Sequence, residues 1–253
     1  MVRGSPESDK RTSERAAARL AEPLKPPGID IVRLDVGEFT FPSDEPWPGE
    51  TGVVVAYLIG HPDGLVLFDT GLGLGESQLD ARYHPRPRPM PDVLAEQRLA
   101  IDDIDVVVNC HLHADHAGQN VAFRGIPIYV QPAERAAARA GDYMIEAWVD
   151  GPGVTYRPVA GDHQILPGIR VMSTPGHSPG HQSLVVDTAE GPTVLAGQAL
   201  YSVGEWDAMP GAREGRSSAR DQAAYDASVA RLRAIDPVRV WFGHDRATWT
   251  RGQ

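Results

Sequence analysis

The sequence predicts a mixed α and β fold, and two observations support this. Short runs rich in β-branched residues, such as residues 105–110, are typical of buried strands. Residues 220–235 instead place Tyr225, Val229 and Leu232 on one face of a helix. Predicted strands and helices alternate along the chain, so we expect both kinds of element in one domain.

The predicted elements follow in a regular order. Strands are expected at residues 29–36, 53–59, 65–68, 105–110, 126–131, 169–172, 193–197 and 238–242. Helices are expected at residues 93–100, 132–139 and 220–235, the second opening with Pro132 in its first turn. Residues 61–64, His-Pro-Asp-Gly, form a turn between two strands. Residues 71–91 are predicted to be largely loop, because residues 83–91 hold too many prolines for regular structure.

Composition and charge exclude several classes of protein. The chain has 253 residues, near the upper size for one domain and enough to bury a sizeable core. Its formal net charge of −10, without a basic cluster, argues against a nucleic-acid partner. No run approaches the ~20 apolar residues of a membrane span.

The N-terminal segment is polar and charged. Residues 1–24 contain no apolar stretch of the kind that signal peptides carry. We therefore expect residues 1–24 to be a mobile tail, residues 25–253 to be one domain, and the protein to be cytoplasmic.

The most informative segment holds three histidines and an aspartate in six positions, His111-Leu112-His113-Ala114-Asp115-His116. It follows a predicted strand, and alternation places His111 and His113 on the same side. Imidazole nitrogens and carboxylate oxygens at this density suit zinc or a similar divalent cation. A polar loop rich in histidine by chance is the alternative, but further histidines in unusual settings argue against it.

Two later segments repeat the pattern of a strand that ends in a histidine. In residues 174–181, Thr-Pro-Gly-His-Ser-Pro-Gly-His, the first histidine is His177. In residues 241–245, Trp-Phe-Gly-His-Asp, the histidine is His244. Because sites in α/β folds form where several strands end at one sheet edge, we expect these histidines to join the first segment.

These motifs resemble the metallo-β-lactamase superfamily, whose signature is His-x-His-x-Asp-His followed by distant single histidines. Residues 68–71, Phe-Asp-Thr-Gly, match the turn that this superfamily places after its first hairpin, and the resemblance spans roughly residues 53–245. Residues 161–184 and 242–245 are most similar to N-acyl homoserine lactone lactonases, which are quorum-quenching hydrolases. The resemblance implies an α+β (α/β) fold, the four-layer αββα sandwich.

The resemblance also implies roles for individual residues. His111, His113 and His177 would bind one metal, and Asp115, His116 and His244 a second. Asp69 would orient a ligand histidine, and His181 would support the ligands without binding metal. Zn²⁺ is the expected cofactor, one or two per chain, with Fe, Co or Mn as other options. Cys110 is expected to be a small core residue.

One position departs from the resemblance. Where the superfamily has an aspartate that bridges the two metals, this chain has Gln198. Because an amide offers one neutral acceptor oxygen, we expect Gln198 to hold the second metal more weakly. Tyr201, three positions further, matches the lactonases' tyrosine, whose phenol lies over the substrate carbonyl.

The implied activity is hydrolysis of a lactone by hydroxide formed from metal-bound water. Asp115 would orient the nucleophile and carry its proton to the leaving alkoxide, while Tyr201 stabilises the oxyanion. Three alternatives stay open: another hydrolase of this fold acting on a thioester or ester, a mononuclear iron oxidoreductase, and a ligand binder that Gln198 has made inactive. The presence of both His116 and His244 argues against the mononuclear oxidoreductase.

The substrate is expected to be a small lactone or ester, and its acyl chain needs an apolar pocket. Flexible methionines and aromatic residues suit a variable acyl chain. The candidates, which could equally belong to the core, are Met90, Tyr143, Met144, Trp148, Trp206 and Met209. The oligomeric state is left open, a dimer being one option.

Overall fold

The computed structural model describes residues 28–45, 47–73, 75–141, 145–208 and 219–252. Thirteen strands form two sheets within these ranges. The first sheet has the order β4-β1-β2-β3-β5-β6-β7, with β1 (Asp30–Thr40), β2 (Thr51–His61), β3 (Gly64–Phe68), β4 (Arg86–Pro87), β5 (Val106–Val108), β6 (Pro127–Val130) and β7 (Thr155–Pro158). The second has the order β13-β12-β11-β10-β9-β8, with β8 (His163–Leu166), β9 (Ile169–Ser173), β10 (Gln182–Thr188), β11 (Gly191–Leu195), β12 (Arg239–Trp241) and β13 (Thr248–Thr250).

Parallel strand pairs determine where the site forms. The pairs β3–β5, β5–β6, β6–β7 and β11–β12 are parallel, and the other pairs are antiparallel. The carboxyl ends of parallel neighbours lie at the same edge of a sheet. The segments that follow β3 and β5 therefore lie together at one edge of the first sheet, and those that follow β11 and β12 lie together at one edge of the second.

Six α-helices accompany the sheets in the described residues. They are α1 (Ser77–Tyr83), α2 (Met90–Glu96), α3 (Pro132–Ala140), α4 (Glu146–Val149), α5 (Val203–Asp207) and α6 (Gln222–Ala234). Helix α3 opens with proline, and α6 is capped by Asp221, whose side chain accepts a hydrogen bond from the Ala224 amide at 3.1 Å. Within the described part of the chain, no helix has both the length and the apolarity that spanning a membrane would require.

Apolar cores separate four layers of structure. The core between the sheets contains Tyr57 and Phe68 from one sheet and Ile169 and Leu184 from the other. A second core lies on the outer face of the first sheet and includes Met90, Val93 and Leu94 of α2. A third packs α5 and α6 against the second sheet through Trp206 and Leu232. Burial of each such side chain stabilises the fold by about 1.5–3 kcal/mol. The predicted αββα sandwich is confirmed.

The segment predicted to be loop, residues 71–91, contains structure that local sequence does not indicate. Helix α1 is held by contacts distant in sequence: Tyr83 donates to Glu45 at 2.6 Å, and Arg82 pairs with Asp44 at 3.1 Å. The two residues of β4 pair with β1. The predicted helix at 93–100 is also shifted, since α2 begins at Met90 and ends at Glu96. Tertiary partners decide these boundaries.

Candidate metal centre

The segment after β5 forms a compact turn that carries four potential ligands. Within the turn, the His116 and Ala117 amides donate to the His113 carbonyl, at 3.1 and 2.9 Å. The turn is fixed to the segment after β3, because the Thr70 amide donates to the His116 carbonyl at 2.7 Å. Gly118 is required at its end, since a Cβ there would lie 2.0 Å from the Gly73 nitrogen.

Three histidines from two loops form a first cluster. His177 Nε2 lies 3.1 Å from His111 Nε2 and 3.0 Å from His113 Nδ1. Tetrahedral Zn–N bonds of about 2.0–2.1 Å would separate ligand nitrogens by about 3.3 Å, close to these distances. Burial, followed by the neighbouring histidines, lowers the pKa of His111 and of His113, so both favour the neutral, metal-binding form.

Asp115, His116 and His244 form a second cluster beside the first. His116 Nε2 lies 3.1 Å from His244 Nε2, and the Asp115 carboxylate lies 3.6 and 3.5 Å from these two nitrogens. His116 Nδ1 is 2.9 Å from the Asp69 carboxylate, and His244 Nδ1 is 2.8 Å from the Val53 carbonyl.

Those outer partners explain why the second cluster suits a cation. Each Nδ1 faces an acceptor, so it carries a proton. In the form of the ring that has no second proton, the Nε2 lone pair is then directed into the cluster. Two lone pairs at 3.1 Å repel each other unless a cation or a proton lies between them. A cation beside an aspartate fits this arrangement.

The charges within the second cluster are strongly coupled. Burial alone would raise the pKa of Asp115, but His116 and His244 lower it to about 2. Burial alone would lower the pKa of His116, but the carboxylates of Asp115 and Asp69 raise it to about 9. Burial and His116 lower the pKa of His244 to about 4. Asp115 is therefore an anion that stabilises positive charge at this position.

His181 and Cys110 lie next to the clusters, and the contacts of each argue against metal binding. His181 Nε2 accepts a hydrogen bond from the Gln198 amide at 3.0 Å, and its Nδ1 lies 3.1 Å from the Thr174 carbonyl. Both ring nitrogens are thus engaged by the protein. Cys110 Sγ lies 3.0 Å from His111 Nδ1 and 3.3 Å from His116 Nδ1, the nitrogens of these rings that face away from the clusters.

Gln198 and Tyr201 follow β11 and face the clusters. Gln198 Oε1 and the Tyr201 hydroxyl are both buried, and neither has a hydrogen-bond partner among the described residues. Because unsatisfied buried polar atoms are costly, both atoms are suited to a bound group. Burial, with the negative charge of Asp115, raises the pKa of Tyr201, so its phenol remains a neutral donor.

A cavity of about 530 Å³ opens over both clusters. His113, Asp115, His177, Gln198, Tyr201 and His244 all line it. Its other walls are mainly apolar, with Phe39, Phe41, Trp47, Leu72, Leu79, Tyr83, Ile145 and Trp148. The cavity is therefore suited to an apolar ligand that lies against a group of metal-binding side chains.

The structure separates the candidate acyl-pocket residues into three groups. Trp148 lines the cavity. Neither Met90 nor Trp206 is among the residues that line the cavity, and each is buried in an apolar core on the outer face of a sheet. Met90 is fully buried where α2 begins, and Trp206 is 5% exposed and packs against Trp249. The remaining candidates, Tyr143, Met144 and Met209, lie outside the described residues.

Several wall residues were not identified from the sequence. Phe39 and Phe41 are two positions apart around the end of β1, and Trp47 lies in the loop before β2. The spacing of the two phenylalanines could have indicated a shared face. Nothing local in the sequence indicates that this face meets the histidine-bearing loops.

Loops from both sheets bring the two ligand clusters together. The profile of the metallo-beta-lactamase superfamily matches residues 49–244. The chain belongs to this superfamily. The match covers β2 to β12 and every ligand candidate, and the family predicted from the motifs is confirmed.

Several members of the superfamily with known names are similar over most of the chain. An N-acyl homoserine lactonase from a Bacillus species is 31% identical over 210 residues, which are 76% of this chain and 81% of the relative. The N-acyl homoserine lactonase AiiB of Agrobacterium fabrum is 32% identical over 223 residues, covering 76% and 79%.

Solved structures of the superfamily are also similar. A variant of Bacillus thuringiensis AiiA with N-decanoyl-L-homoserine at its active site superposes with a TM-score of 0.73 at 26% identity, covering 88% of this chain and 95% of that one. An N-acyl homoserine lactone hydrolase with N-hexanoyl-L-homoserine bound at its catalytic metal centre gives a TM-score of 0.72, with the same identity and coverage.

Proposed function

We propose that this protein is a metal-dependent hydrolase that opens the lactone ring of N-acyl homoserine lactones. The observation that carries the proposal is the position of two metal-binding clusters at one end of a mainly apolar cavity. The similarity to N-acyl homoserine lactonases over three quarters of the chain supports the same substrate class.

The chain offers ligands for two divalent cations. His111, His113 and His177 would hold one cation. Asp115, His116 and His244 would hold the other, with Gln198 as a neutral additional ligand. Zn²⁺ suits this nitrogen-rich set, and Fe, Co or Mn could replace it. When bound, such cations would lower the pKa of a coordinated water to about 7 and polarise the substrate carbonyl.

The protein's own groups then have distinct tasks. The anionic Asp115 orients the attacking water and relays its proton to the alkoxide released when the ring C–O bond breaks. The neutral phenol of Tyr201 donates a hydrogen bond to the oxygen that becomes negative during attack on the carbonyl carbon. The aromatic walls at Phe39, Phe41 and Trp47 exclude water and hold the acyl chain.

The proposal is tested by metal analysis together with a substrate panel. Purified protein, stripped of metal and reloaded with Zn²⁺, is assayed for proton release with acyl homoserine lactones of short, medium and long chain, and with thioesters and β-lactams. We expect metal-dependent opening of the lactones. A preference for thioesters, or lactone binding without turnover, would contradict the proposed reaction.

A matched variant controls for histidine removal in general. His163 is exposed on β8, where it stacks on Tyr129 and does not line the cavity. His163→Ala should keep metal affinity and lactonase activity, whereas His177→Ala should bind metal more weakly and lose lactonase activity. Equal loss in the two variants would mean that the assay reports general stability.

A further inference from the structure

Glu134 is a fully buried carboxylate that lies beside the candidate metal centre, outside the set of ligands. It is the third residue of helix α3, and the positive end of the helix dipole favours a negative charge there. A buried charge is costly unless other groups hydrogen-bond to it. The partners of this carboxylate therefore indicate what holds it in place.

The two carboxylate oxygens bind two different ligand-bearing loops. Oε1 accepts a hydrogen bond from the amide of Leu112, the residue between His111 and His113, at 3.0 Å. Oε2 accepts from the Ser178 hydroxyl at 2.6 Å and from the Gly180 amide at 3.1 Å. Ser178 directly follows the ligand candidate His177. One carboxylate thus connects the two loops that supply the three-histidine cluster.

Packing reinforces this connection. A Cβ on Gly180 would lie 2.1 Å from the Glu134 backbone nitrogen, so the loop rests directly on the first turn of α3. The helix, the carboxylate and both loops therefore form one rigid contact. Any change in the Glu134 bonds would alter the spacing of His177 relative to His111 and His113.

We propose that Glu134 is a positioning residue that sets the spacing of the three-histidine cluster and so the affinity of that cluster for a divalent cation. It acts through the backbone of Leu112 and through Ser178, without contacting the reacting atoms. The inference rests on the metal site of the proposed function, and it does not depend on the lactone substrate.

Glu134→Gln provides the test. An amide cannot accept on both edges, because its NH₂ group would face the donor hydrogen of either the Leu112 or the Gly180 amide. We expect the first Co²⁺ equivalent to bind about 10- to 100-fold more weakly, measured by competition with a chromophoric chelator, and the visible Co²⁺ absorption to change. Glu96→Gln, at the exposed end of α2, is the matched control and should leave both unchanged.

Two further variants separate positioning from general stability. Ser178→Ala removes one hydrogen-bond donor and keeps the Glu134 carboxylate. It should therefore weaken Co²⁺ binding less than Glu134→Gln does. If Glu134→Gln does not fold, Ser178→Ala still tests the positioning role. In a His177→Ala background, Glu134→Gln should have little further effect on Co²⁺ affinity, because both changes act on the same cluster.

The outcomes also distinguish this inference from the proposed function. A lower Tm of metal-free Glu134→Gln with unchanged Co²⁺ affinity and absorption would overturn the positioning role. Unchanged Co²⁺ affinity in Ser178→Ala would overturn it as well. A wild-type protein that binds Co²⁺ tightly but opens no lactone would overturn the proposed function alone.

Discussion

The phenol ring of Tyr201 stacks on the imidazole of His244, with ring centroids 4.4 Å apart and planes inclined by 20°. The two residues follow the parallel neighbours β11 and β12, and their loops are joined because the Val203 amide donates to the Asp245 carboxylate at 3.0 Å. A ligand candidate and an expected oxyanion donor are thus held together. Movement of one loop would displace both groups.

Tyr201→Phe should reduce lactone turnover on the order of a hundredfold, because loss of one oxyanion donor costs about 2.7–4 kcal/mol. The phenylalanine ring can keep the stack on His244, so metal content should not change. Steady-state kinetics and metal analysis measure the two effects. Tyr129→Phe, on β6 and away from the cavity lining, is the control. Wild-type turnover in Tyr201→Phe would remove the phenol from the mechanism.

Gln198→Asp should raise metal occupancy toward two per chain and increase lactone turnover. In the wild-type protein we expect fewer than two tightly bound metals, with weaker binding at the cluster of Asp115, His116 and His244. That cluster has one anionic ligand, and the Gln198 oxygen is buried, neutral and without a hydrogen-bond partner in the described structure. Metal analysis after dialysis against a weak chelator measures occupancy. Two full equivalents retained by the wild-type protein would disprove the prediction.

Asp69→Asn should weaken metal binding at the cluster of Asp115, His116 and His244 by about 10- to 100-fold. The Asp69 carboxylate accepts from the Cys110 amide at 2.7 Å and holds His116 Nδ1 at 2.9 Å. An amide cannot accept from both donors. Asp69 has a φ of +67°, which asparagine tolerates, so backbone strain should not confuse the result. Zinc titration measures the affinity. Asp63→Asn, at an exposed position, is the control. Equal zinc affinities in the two variants would refute the role of Asp69.

Gly118→Ala should destabilise the protein by about 1–3 kcal/mol or more, because its Cβ would lie 2.0 Å from the Gly73 nitrogen and 2.3 Å from the Ala114 carbonyl oxygen. Ala114 lies in the ligand-bearing turn and Gly73 in the segment after β3 that hydrogen-bonds to it, so metal affinity should fall as well. Gly60→Ala on β2 is the matched control, because an added Cβ there would lie 3.9 Å from the Asp30 carbonyl oxygen, an ordinary contact distance. Thermal unfolding with and without Zn²⁺ tests both effects. A Tm equal to that of Gly60→Ala would show that the turn can relax.

Part of the site could be predicted from sequence because ligand chemistry is local. The segment from His111 to His116 places several ligands on one short turn, and glycine or proline after a strand indicates the loops that carry His177 and His244. The periodicity of strands and helices identified eight of the thirteen described strands and three of the six described α-helices. It missed β4, β7, β8, β10 and β13, and among the helices α4, α5 and α1. Helix α1 depends on Asp44 and Glu45, which lie more than 35 residues earlier.

The sequence by itself determined the superfamily, the two-sheet sandwich and the identity of the candidate ligands. Only the tertiary structure decided how those ligands are supported and what surrounds them. It placed Met90 and Trp206 in cores, brought Phe41 and Trp47 to the cavity, and connected two ligand loops through Glu134. The reason is physical: hydrophobicity and hydrogen-bonding capacity belong to a residue, whereas the partner that satisfies them is set by strand pairing and helix packing across the whole chain.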